Sequence, residues 1–85
     1  MMEKDLVSLP NIGKTLAEKL KLAGISTPDQ LKSTGSENAF IRIKTIDRDA
    51  CLDMLFALEG AIQGIRWHNL RESKKLELKE FFKRI

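Results

Sequence analysis

An all-α domain of five or six short helices, with no sheet, is what this sequence predicts. Three observations carry the prediction. Between Cys51 and Ile65 the apolar residues Cys51, Met54, Leu55, Leu58, Ala61, Ile62 and Ile65 keep the i, i+3, i+4, i+7 spacing of one helix face. Helix starts and stops punctuate the rest of the chain at short intervals. The one stretch that alternates like a strand, Phe40-Ile41-Arg42-Ile43, has no second strand to pair with.

The first helix is expected over roughly Lys4 to Ser8, with Leu6, Val7 and Leu9 as its apolar residues. Pro10 fixes its own φ and turns Leu9 away from the α region, so that helix stops there. The second runs from about Gly13 to Ala23 and buries Leu16, Ala17 and Leu20. Gly24 ends it from the C′ position. Asn11 tolerates a left-handed backbone better than most residues. Gly13 is expected to need either such a backbone or a close contact that a side chain would disturb.

Thr27-Pro28-Asp29-Gln30 is a strong helix start. Thr27 is the N-cap, Pro28 takes N1, Asp29 favours the positive helix end, and Gln30 holds the capping-box position. That third helix stops before Gly35, with Leu31 as its main buried residue. Ser36 is expected to cap the fourth helix, which points Ala39, Phe40 and Ile43 inward. Asp47 is expected to cap the fifth, with Cys51 on its core face. Leu52 and Phe56 widen the apolar face of that helix. Ala57, Gly60 and Gly64 share another side, where small residues admit a close neighbour, and Gly64 marks the end. Trp67 to Leu70 form a turn with Asn69 as N-cap of the last helix, in which Leu78, Phe81, Phe82 and Ile85 face the core. The core is expected to centre on Leu16, Leu20, Leu31, Met54, Leu55, Leu58 and Ile62.

With 85 residues, the chain is long enough for one domain spanning residues 1–85. Hydrophobic residues make up 42% and charged residues 32%, a globular and not a disordered composition. No apolar run nears the ~20 residues of a membrane span. The charged start, Met1 to Asp5, has no apolar stretch behind it, so no secretory signal is expected. Cys51 is the only cysteine, which excludes an intrachain disulfide and suits a reducing, cytoplasmic compartment.

Net charge is +3, too small to imply nucleic acid alone. Residues 66–85 carry +4 and the remainder −1. Arg71, Lys75, Lys79 and Lys83 form a candidate basic surface, drifting about 40° per step around the last helix. The commoner reading of such a stripe is a solvated face, with Glu72 to Lys75 and Glu80 to Arg84 able to pair along it. Leu76 points away from the apolar face of the same helix.

Leu9-Pro10-Asn11-Ile12-Gly13 and the helix after it resemble the helix-hairpin-helix motif, which often reads Leu-Pro-Gly-x-Gly. Asn11 stands where the first glycine usually sits. In DNA-binding members the hairpin N–H groups approach a phosphate, helped by the positive end of the following helix. The resemblance implies Asn11, Gly13, Lys14 and Thr15 as candidate phosphate contacts on duplex DNA.

From about Leu6 onward the chain also resembles the C-terminal domain of the TfoX/Sxy family of competence regulators. The stretches that carry this are Leu9 to Gly13, Leu20 to Ile25, and Leu58-Glu59-Gly60-Ala61-Ile62-Gln63-Gly64-Ile65-Arg66-Trp67-His68. The resemblance implies a helix-hairpin-helix or SAM-like helical domain and a tie to regulation of DNA uptake in bacteria.

Little points to catalysis. The chain has one histidine, one cysteine and no tyrosine, and no cluster with metal-ligand spacing. No cofactor, small-molecule substrate or membrane is expected. The leading expectation is a protein-interaction or self-association module, including a homodimer. Its candidate contacts are Leu76 and the Ala57, Gly60 and Gly64 side. DNA binding through the hairpin is the alternative.

Overall fold

The computed structural model describes residues 5–85. Five α-helices run in order: α1 Lys14–Leu22, α2 Pro28–Thr34, α3 Ser36–Ile46, α4 Leu52–Gln63 and α5 Glu72–Arg84. Two 3-10 turns, Leu6–Ser8 and Trp67–Asn69, precede α1 and α5. There is no strand among the described residues.

Local chemistry explains most boundaries. The first turn is a 3-10 turn and not an α-helix; its cap is Asp5, whose carboxylate accepts from the Leu6 N–H. Lys4, the expected start of a first helix, lies outside the described residues. Helix α1 ends in a Schellman arrangement. The Ile25 N–H donates to the Leu20 carbonyl at 2.8 Å and the Gly24 N–H to that of Lys21, with Gly24 at φ 87°. Leu20 and Ile25, the pair that this geometry brings together, are both fully buried. Thr27 caps α2 by accepting from Gln30 N–H, and the Gln30 side chain accepts from Ser26 N–H.

Three expected caps lie elsewhere. Ser36 is the first residue of α3, buried, and its hydroxyl donates to Glu59 at 2.6 Å instead of capping. Gly35, at φ 85°, both ends α2 and begins α3. Asp47 closes α3, and the N-cap of α4 is Cys51, which is exposed and off the core face. Arg71, not Asn69, precedes α5. Two of these polar residues take tertiary partners instead, Ser36 with Glu59 and Asp47 with Lys19.

Helix α4 is the spine. It buries Leu55, Phe56, Ala57, Leu58, Gly60 and Ala61, and packs against α2, α3, α5 and the second 3-10 turn. Of the expected core, Leu20, Leu31, Leu55 and Leu58 are fully buried, while Leu16, Met54 and Ile62 are half-buried at its edge. Phe40 and Ile43 of α3 are fully buried, and Phe40 meets Phe82 of α5 at 5.8 Å between ring centroids. Ala50, in the α3–α4 connection, is also core.

Asp47 ties this connection to α1 through an ion pair with Lys19. The Lys19 hydrogen bond, followed by one from the Asp49 N–H, holds the Asp47 carboxyl below its ordinary value of 3.8. A carboxyl depressed by folding stabilises above its unfolded pKa, and that contribution disappears as pH falls through the lowered value. Thermal midpoints taken from pH 7 down to about pH 2 should therefore converge for the parent and Asp47→Asn, the parent losing more below 3.8. Parallel curves would show that the pair contributes nothing.

Candidate functional site

The hairpin between the first 3-10 turn and α1 turns on Pro10 and Asn11. Leu9 is extended, as the following proline requires. Asn11 is the residue that turns left-handed, at φ 69°. Gly13 is not: it is ordinary extended backbone at φ −93°, exposed, and a Cβ there would meet nothing within 4 Å among the described residues, so the expected close contact is not found.

Asn11 also points its side chain inward. Its Nδ2 donates to the Ile65 carbonyl at 2.8 Å and to that of Ala57 at 3.4 Å. Its Oδ1 accepts from the Trp67 N–H at 3.1 Å. The amide thus fastens the hairpin to the α4 C-terminus and the following turn, and is committed there instead of facing a phosphate. Gly60 makes this possible. A Cβ on Gly60 would fall 2.5 Å from Asn11 Nδ2, 2.8 Å from the Ile65 oxygen and 3.1 Å from Trp67 Cα. Gly60→Ala is expected to destabilise the domain by about 1–3 kcal/mol through overpacking, although alanine is the better helix former by about 1 kcal/mol. A denaturant titration showing a stabilised variant would contradict this packing.

The small-residue side of α4 is therefore occupied from within the chain. Ala57 and Gly60, expected as contacts for another molecule, are buried, with Asn11 over both. Gly64 is exposed and closes α4 in the left-handed region at φ 76°. Trp67 stacks between Phe56, at 5.6 Å, and the exposed His68, at 4.0 Å.

Gly13, Lys14 and Thr15 stay on the surface. The first turn of α1 has no side-chain cap and no acidic residue, so its free N–H groups face outward beside Lys14. Of the basic stripe, Lys75 reaches back to the turn before α5. Its ammonium donates to the His68 carbonyl at 3.3 Å and lies 3.8 Å from Glu72. Arg71 and Lys79 are exposed and make no ion pair among the described residues; Lys83 lies 3.8 Å from Glu80. Lys83 is two turns beyond Lys75, about 12 Å along the axis.

Leu76 is 59% exposed. It sits about 200° around α5 from the buried Leu78, between Glu72 and Glu80 one turn away on either side.

A second surface was not legible as a site. Ile41, Lys44 and Thr45 of α3 and Ile85 after α5 line a shallow apolar trough. An adjoining trough shares Ile41 and continues along Ser33, Thr34, Asn38 and Arg42. Ile85, expected in the core, is 49% exposed, and Ile41 is 40% exposed. Helical spacing could have singled out Ile41, because it lies about 200° from Ile43 and so on the outer side of an amphipathic helix.

Other polar groups are mutually engaged. Glu59 accepts from Ser36 and Gln63, and Lys74 pairs with Glu77 at 2.9 Å. That bond, with the nearby Glu59 and Glu37, raises the Lys74 pKa above its ordinary value. No group of three or more potential metal ligands occurs among the described residues, nor any helix long and apolar enough to cross a membrane.

Comparison with known proteins places this geometry in context. The family model described as TfoX C-terminal domain matches residues 2–82. No curated protein matches the chain. The crystal structure of an uncharacterized protein from Listeria monocytogenes, in a triclinic form, is similar with a TM-score of 0.91 at 56% identity, covering 92% of this chain and 89% of that one. A protein of unknown function from the same organism, in a tetragonal form, gives 0.90 at 55% identity, covering 92% and 96%.

Proposed function

This chain belongs to the TfoX C-terminal domain family, and from that premise we propose that it is a non-enzymatic protein-interaction module serving regulation. The tie to competence regulators suggests control of DNA uptake or transcription as its setting. The observation that carries the reading is the outer face of α3, where Ile41 and Ile85 are exposed around a trough that no described element covers. Exposed apolar residues that adjoin one another mark contact surfaces more often than scattered ones do. Leu76, alone among charged neighbours, is the weaker candidate for self-association.

DNA binding is the second reading, favoured by the uncapped α1 terminus beside Lys14. Against it stands the commitment of Asn11 to the chain interior. The expected result is no measurable binding to mixed duplex DNA at physiological salt, with isotherms at two salt concentrations as the check. Tight, salt-sensitive binding abolished by Lys14→Glu would replace the interaction reading with the DNA one. Sedimentation of the free protein, and of Leu76→Glu, tests self-association in the same samples.

A further inference from the structure

We infer that the α3 face receives an acidic amphipathic helix of a partner protein, which deepens the interaction reading above and rests on it. The two troughs share Ile41 in their walls. From Asn38 to Thr45 they follow two turns of α3, about 10 Å. That is the length over which a docked helix presents apolar side chains at i, i+3 or i+4, and i+7. Ile41 and Ile85 supply the apolar floor, and Lys44 contributes its stem.

Charge selects the occupant. Among the described residues Arg42 and Lys44 are the charged side chains that line the troughs, and no aspartate or glutamate side chain lines either. The Lys44 ammonium is held by the carbonyls of Arg48 and Ala50 at 3.2 and 3.1 Å, and lies 5.5 Å from the Phe82 ring centre. Arg42 is exposed and makes no ion pair among the described residues. Its guanidinium is therefore free to grip a carboxylate in the two-pronged geometry that lysine cannot offer. At its far end the second trough meets a third through Thr34 and Asn38, lined by Glu37, Glu59, Lys74 and Glu77, so the section that selects an acidic edge is the end at Ile41, Arg42 and Lys44. A basic partner segment would leave Arg42 facing like charge, whereas a helix with leucine or phenylalanine on one side and glutamate along the edge satisfies both features.

The test is a display library of randomised two- to four-turn helical peptides selected on the whole chain, followed by amide-shift mapping of the winners. The expected winners combine a large apolar stripe with an acidic edge and shift the amides of α3 around Ile41. Ile41→Glu should weaken them at least about tenfold, as loss of a central apolar anchor does. Arg42→Glu should weaken them about tenfold and be rescued by peptides carrying lysine for glutamate. Both positions are exposed, and an unchanged melting midpoint will show that each variant folds. Winners on this face without acidic bias overturn the partner chemistry and leave the interaction reading standing. No winners on this face, together with duplex DNA shifting the amides around Lys14, overturns both. A concentration-dependent dimer abolished by Ile41→Glu overturns the foreign partner in favour of a second copy.

Discussion

Phe40→Ala is expected to cost about 3–5 kcal/mol, the range for deleting a fully buried phenylalanine. Phe40 is fully buried on the inner side of α3 and packs on Phe82. Removing the ring takes away its transfer free energy and leaves a cavity between α3, α4 and α5. That cavity cannot close easily, because the α3–α4 connection is pinned by the Lys19–Asp47 pair and by Lys44 on the Ala50 carbonyl. At roughly 0.05–0.15 kcal/mol per residue, a domain of this size has total stability of about 4–13 kcal/mol. The substitution should therefore consume much of it. Urea titration gives the measurement, and a loss below about 1 kcal/mol would place Phe40 outside the core. The same change at Ile41, one residue on, should be nearly silent in stability, because that side chain already meets solvent.

Asn11→Ala is expected to cost about 2–5 kcal/mol. Two effects add. The Trp67 N–H and the Ile65 carbonyl lose their partner, at about 1–3 kcal/mol for groups left unsatisfied. Alanine must also hold a left-handed backbone at φ 69°, at about 1–2 kcal/mol. Asn11→Gly separates the two, since glycine takes that backbone freely but restores no hydrogen bond. It should fall between the parent and Asn11→Ala. Hydrogen exchange at the Trp67 amide supplies an independent check, with protection lost in both variants. Equal stability of parent and Asn11→Gly would mean that the side-chain bonds contribute nothing net. Combined with Gly60→Ala, either change at Asn11 should be less than additive, because the clash at Gly60 is partly with the amide that has been removed.

Much of this protein was legible in its sequence. The all-helical class, the turn at Pro10, the ends of α1 and α2 at Gly24 and Gly35, and the inward face of α4 all follow from interactions among residues a few positions apart. Those are the interactions that periodicity, caps and glycine report. Family membership was legible too, in the stretches around Asn11 and from Leu58 to His68. What the sequence could not show was that these two stretches touch. Asn11 read as a weakened phosphate contact, and Gly60 as a notch for another helix. Each found its partner about fifty residues away: Asn11 bonds across to Ile65 and Trp67, and Gly60 leaves the room it needs. Ser36 and Asp47 read as caps for the same reason, because their competing partners Glu59 and Lys19 are distant in sequence. Helical periodicity places a side chain on one side of a helix, but only packing decides whether that side is covered. So Leu55, Leu58 and Ala61 of α4 came out buried as expected and Ala57 and Gly60 were covered as well, while Ile41 and Ile85 were left open, since no other described element reaches the outer face of α3.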